Sequence, residues 1–167
     1  MAREVERYRE AFDGPPDREL HLGMEAEGLP FPVDGLMRKD SLYFHPVELS
    51  GTMPRMNWVT TGREVRWILR DPASGAENME IDWSFRVGDV VKLRLRNLRH
   101  AAHAMQHPIH IHGQRFLVLS RDGRPAEELA WKDTTLLPVG TTATLLLEIT
   151  NPGEWMIHCH VAEHLDT

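Results

Sequence analysis

Apolar and polar residues alternate most regularly between Asp82 and Asn97, where Val91, Leu93 and Leu95 are interleaved with Lys92, Arg94 and Arg96 behind a Gly88-Asp89 turn. Successive side chains of a strand point to opposite faces, so this period predicts one buried face and one wetted face. Ile109–Leu119 and Thr142–Thr150 repeat the pattern, punctuated by the turns Arg121-Asp122-Gly123-Arg124-Pro125 and Pro138-Val139-Gly140. Leu20–Met24 and Val65–Leu69 add shorter strands, and Asn151-Pro152-Gly153 turns the chain into a last one over Glu154–Cys159. Arg3–Phe12 has helical spacing instead, with Val5, Tyr8 and Phe12 set among charges ahead of a stop at Asp13-Gly14-Pro15-Pro16. Residues 1–16 are therefore expected to be a lead-in helix or linker that lays Tyr8 and Phe12 on the domain, and 28–62 to be loop-rich. Short strands joined by Gly, Pro and Asp turns predict an all-β fold, a Greek-key β-sandwich spanning 17–167.

Composition narrows the partners. A chain of 167 residues is about one domain long and buries a core without disulfides. Its net charge of −6, with both signs dispersed and no basic block, argues against nucleic acid. No apolar run approaches the ~18 residues of a membrane span, and the start, Met1-Ala2-Arg3-Glu4-Val5, lacks an export signal, which says little about location if the chain is part of a longer protein. The single cysteine forms no internal disulfide, so a role as ligand or nucleophile is the better expectation.

Two stretches concentrate the candidate chemistry: His107-Pro108-Ile109-His110-Ile111-His112-Gly113 and His158-Cys159-His160-Val161-Ala162-Glu163-His164. They hold six of the ten histidines and the only cysteine. On strands, His110 and His112 share a face, as do His158 and His160, while Cys159 points the other way. If the two strands lie together, four imidazoles converge on one side and the thiolate faces into the domain. Cys159, His107 and His164 then form the Cys-plus-two-His set of blue-copper electron-transfer sites, with Pro108 directing the chain away after His107. The four imidazoles are half of a multinuclear copper site, joined to the thiolate through the Cys159 backbone. Zinc is the main rival, and a Cys–His hydrolase pair a distant one, since a nucleophile wants one base and not five more histidines. His21, His45, His100 and His103 read as ordinary surface or loop residues. Met53 and Met56 are expected to be packing residues and not copper ligands.

These motifs resemble the two C-terminal copper signatures of the multicopper oxidases, the family of laccases, bilirubin oxidases and copper-tolerance oxidases. The likeness extends upstream through Met53-Pro54-Arg55-Met56-Asn57-Trp58, Asn78-Met79-Glu80-Ile81-Asp82-Trp83 and Gly113-Gln114-Arg115-Phe116. It implies a cupredoxin-like sandwich equivalent to the family's last cupredoxin domain. It also implies type 1 copper ligands at His107, Cys159 and His164, a type 2 ligand at His110, and type 3 ligands at His112, His158 and His160. Trp155 matches a packing aromatic and is expected in the core. The implied activity is a copper-dependent oxidase that takes single electrons from phenolic, aromatic amine or metal-ion donors and reduces dioxygen to water.

Two departures from the family accompany the match. The paired histidine motifs of the family's first cupredoxin domain, which supply half of its trinuclear centre, are absent. The chain also stops at Thr167, before the family's axial Met or Leu position, so a fragment or excised domain is expected. Completion of the centre then falls to a missing first cupredoxin domain or to another protomer. The alternative is a copper-binding or electron-transfer module without oxidase turnover of its own.

Overall fold

The computed structural model describes residues 2–26, 65–99 and 106–160. A short helix α1 (Ala2–Glu6) and a 3-10 turn (Arg9–Phe12) precede β1 (Arg18–Ala26), β2 (Val65–Arg70) and β3 (Val90–Asn97). There follow β4 (His107–Ile111), β5 (Arg115–Arg121), β6 (Arg124–Pro125), β7 (Trp131–Lys132), β8 (Thr134–Leu137), β9 (Thr142–Glu148) and β10 (Ile157–Cys159). Among the described residues the strands form two sheets. The larger runs β2-β1-β3-β9-β5-β6 with β7 also on β5, and the smaller runs β10-β4-β8. All pairings are antiparallel except β1 with β3.

The main core lies between the sheets. Leu20, Leu22, Leu93, Leu95, Phe116, Val118, Leu145 and Leu147 from the large sheet meet Ile109, Ile111, Leu137 and Cys159 from the small one. Burying these aliphatic faces is the dominant favourable term, about 25 cal/mol for each Å² removed from water. Two polar ties fix the small sheet to the large: Asn97 Nδ2 donates to the Leu137 carbonyl at 3.0 Å, and the Arg121 guanidinium donates to Thr135 Oγ1 at 2.6 Å and to the Leu136 carbonyl at 2.7 Å.

The β3 expectation needs correcting on its polar face. Lys92 is only 5% exposed, because the lead-in segment covers it. Its ammonium donates to the carbonyls of Phe12, Asp13 and Gly14, which supply the partners a buried charge requires. The aliphatic stem of a lysine can lie along apolar surface, so the alternation survives while the solvation does not. Beside it Val5 and Tyr8 join Leu117, Leu119 and Leu146 in a second cluster, with Tyr8 edge-on to Trp131 at 5.6 Å. Tyr8 is thus core, and Phe12 packs on this cluster partly exposed.

The predicted strand over Ile109–Leu119 is two strands, β4 in one sheet and β5 in the other. The chain changes sheets at His112-Gly113-Gln114, where Gly113 has φ +62°, a left-handed conformation that glycine adopts without a Cβ penalty. The last strand is also shorter than expected, beginning at Ile157 and not at Glu154.

Candidate metal centre

The pairing of β10 with β4 places His158 opposite His110, Cys159 opposite Ile109 and Ile157 opposite Ile111. Two further backbone bonds extend this ladder, from His160 N to the Pro108 carbonyl at 2.7 Å and from His112 N to the Met156 carbonyl at 2.9 Å. Directly opposed residues of an antiparallel pair project from the same face. One register therefore gathers His110, His112, His158 and His160 on one side and turns Cys159, Ile109 and His107 to the other.

The imidazole side is a compact cluster. Ring centroids lie 4.8 Å apart for His110–His112, 5.6 Å for His110–His158, 5.4 Å for His110–His160, 4.9 Å for His112–His158 and 5.7 Å for His158–His160. His112 and His160 are exposed, and His110 and His158 are half-buried. His158 Nδ1 lies 2.8 Å from the Cys159 carbonyl, and its Nε2 lies 2.8 Å from Nε2 of His112. A carbonyl only accepts, so Nδ1 of His158 is the N–H; its Nε2 in the neutral ring then accepts from His112. Partial desolvation, together with repulsion from His110, His158 and His160, lowers the His112 pKa below the ordinary imidazole value.

The opposite face is dry. Cys159 and His107 are buried, at 7% and 4% exposure, within the core that includes Ile109 and Ile111. His107 stands at the start of β4, opposite Leu137 of β8, and Trp67 of β2 meets its ring edge-on at 5.6 Å. His164 lies outside the described residues, as do His45, His100, His103, Met53 and Met56. His21 is half-buried on β1, not a plain surface residue, and pairs with Glu19 at 2.9 Å.

The turn that ends β4 is pinned to the loop before β10. Gln114 is buried, donates to the Asn151 carbonyl at 2.9 Å and accepts from Thr150 N at 2.9 Å, while Asn151 Nδ2 donates to the Gly113 carbonyl. Trp155 is not the core residue expected; it is 47% exposed and its ring lies over Gly113, where any Cβ would overlap it. Its Nε1 donates to the Asn151 carbonyl at 3.0 Å. Sequence reading passed over Gln114 and Asn151 as site-shaping groups. It also left β8 unassigned, although the β-branched pair Thr134-Thr135 ahead of Leu136-Leu137 was a usable strand signal. Through β8, His110 Nδ1 meets the Asp133 carbonyl at 3.0 Å and Thr134 Oγ1 at 2.9 Å.

Imidazole side chains on one side of the strand pair, and a thiol with a further imidazole on the other, make a donor set of the type that suits copper. The family model for multicopper oxidase matches residues 48–167, and the chain belongs to that family. It is 31% identical over 129 residues to multicopper oxidase MmcO of Mycobacterium tuberculosis, a match covering 77% of this chain and 22% of that protein. It is 38% identical over 88 residues to multicopper oxidase mco of Staphylococcus aureus, covering 52% of this chain and 20% of that one. The blue copper oxidase of Nitrosomonas europaea shares the fold, with a TM-score of 0.52 at 24% identity over 90% of this chain and 38% of that one. The chain thus spans about a fifth of the length of the curated relatives it matches. The cupredoxin-like sandwich expected from the resemblance is the observed architecture.

Proposed function

We propose that this chain carries copper ligands of a laccase-like oxidoreductase, with residues 17–167 as its cupredoxin domain and 1–16 as the lead-in. His107, Cys159 and His164 are the proposed type 1 ligands, His110 the type 2 ligand, and His112, His158 and His160 the type 3 ligands. Copper bound by these residues would supply one-electron chemistry, in which four single-electron oxidations of phenolic, aromatic amine or metal-ion donors, with four protons from solvent, match the reduction of one dioxygen to two waters. The observation that carries this reading is the register of β4 and β10, which separates a buried Cys–His face from a face of four adjoining imidazoles.

Each residue has a task in this scheme. Burial around Cys159 and His107 excludes water and would restrain both side chains whichever oxidation state a bound copper took. The Cys159 backbone gives a continuous covalent path to both neighbouring imidazoles, and the bond from His158 Nδ1–H to the Cys159 carbonyl adds a second connection. The histidines that would complete the oxygen site come from a first cupredoxin domain or a second copy of the chain. With such a partner present, copper-loaded protein should consume oxygen with a phenolic donor, and gel filtration with copper counting identifies the source of the missing ligands. Failure to consume oxygen in the completed assembly overturns the oxidase reading.

A second reading, a copper-binding or electron-transfer module without turnover of its own, has one observation in its favour. The paired histidine motifs of the family's first cupredoxin domain, which would complete an oxygen site, do not occur in this sequence. A module of this kind bleaches on reduction and stays bleached in air, whereas the oxidase recovers its colour.

A further inference from the structure

We infer that Thr134, together with the backbone carbonyl of Asp133, is a positioning element that fixes which nitrogen of His110 is offered to a metal. His110 Nδ1 lies 3.0 Å from the Asp133 carbonyl and 2.9 Å from Thr134 Oγ1. The carbonyl has no proton to give, so Nδ1 carries the hydrogen, and in the neutral ring the lone pair sits on Nε2. Threonine Oγ1, as a second acceptor, constrains the rotation of the ring as well as its tautomer. This is the arrangement by which groups beyond the ligand atoms orient a metal-binding imidazole.

The element that makes these contacts is well anchored. Thr134 faces His110 directly in the β4–β8 register, and the Ile111 N–H donates to the Asp133 carbonyl at 3.0 Å. The rest of β8 is tied to the large sheet by Asn97 and Arg121. Thr134 thus stands on a strand whose place is set by the core, and it transmits that rigidity to one exposed-side imidazole. Among the described residues β8 gives no hydrogen bond to the other three rings: His158 leans on the Cys159 carbonyl and His112 on His158. The inference rests on the copper reading for its purpose but not for its geometry.

The test uses the full chain. Long-range ¹⁵N–¹H correlation of the metal-free protein reads the His110 tautomer, and Cu(II) titration against a competing chelator reads affinity. The parent chain should show His110 in the Nδ1–H form. Thr134→Val, which keeps the shape and deletes the hydroxyl, leaves the Asp133 carbonyl as the one remaining acceptor, and should raise the Nε2–H fraction of His110 and weaken Cu(II) binding by about 10-fold to 100-fold. Thr134→Ser should restore both, which separates loss of the hydroxyl from damage to the strand. An Nε2–H parent, or a Thr134→Val chain with the parent's tautomer and affinity, overturns the inference. A parent chain of the stated tautomer that binds no Cu(II) overturns the copper reading instead, and with it the purpose assigned to Thr134.

Discussion

The two faces of the β4–β10 pair share one backbone and one register, yet they differ in almost every physical respect. On one, Cys159, Ile109 and His107 are sealed between the sheets, where packing fixes each side chain. On the other, two exposed and two half-buried imidazoles adjoin, and hydrogen bonds hold three of them: His112 to His158, His158 to the Cys159 carbonyl and His110 to β8 and the Asp133 carbonyl. The difference shows how a period of two divides adjacent residues between unlike solvents: the buried side gains rigidity from dispersion and burial, the wet side keeps lone pairs available. A single strand pair thus carries a shielded thiol on one side and an accessible imidazole cluster on the other.

The comparison breaks most completely at the thiolate. Cys159→Ser in copper-loaded protein should abolish the cysteine-to-copper charge-transfer absorption while copper at the imidazole face persists by electron paramagnetic resonance. An unchanged visible spectrum in this variant would falsify the assignment of Cys159 as a ligand.

Next comes packing. Ile109 is fully buried opposite Cys159, so Ile109→Ala should destabilise the chain by about 2–5 kcal/mol in urea unfolding. His112→Ala, on the wet face, should stay within about 0.5 kcal/mol of the parent when metal is absent. Similar losses for the two variants would erase the proposed contrast between the faces.

A smaller effect is expected where the faces meet at the sheet-changing turn. Gly113→Ala places a Cβ in a left-handed backbone and against the Trp155 ring, and should cost about 1–3 kcal/mol with a shift in tryptophan fluorescence. Parent-like fluorescence and stability would show that the turn tolerates a side chain.

The smallest effect is electrostatic. Because His112 has a lowered pKa in the folded chain, the unfolded chain binds protons more readily just below the ordinary value of 6.5. Stability of the metal-free protein should therefore fall as pH drops through that window and level off below the folded pKa. Urea midpoints across the window check this, and His112→Gln should flatten the slope; an identical slope in that variant would place the titration elsewhere.

Much of this organisation was legible beforehand because it depends on local period and chemistry. The HxH spacings in 107–113 and 158–164 assign imidazoles to one face whatever the fold, and Val91, Leu93 and Leu95 mark a buried face in any sandwich. Lys92 shows the limit: alternation identified its side of the strand, but the carbonyls of Phe12, Asp13 and Gly14 that bury it come from a segment far away in the chain. Trp155 shows another, since a large aromatic is usually core, yet here its ring lies against Gly113 at the surface.

The sequence by itself determined which side chains sit on which side of β4 and β10, because side-chain alternation is a property of the extended backbone. It determined the donor types too, four imidazoles against a thiol and the His107 imidazole, and with them the class of metal that fits. Tertiary structure alone decided that His110 faces His158, that Cys159 lies in the core, and that Thr134 and the Asp133 carbonyl hold His110. Those are long-range relations: they follow from register and from two sheets closing over a shared core, and no local pattern encodes which strand becomes the neighbour.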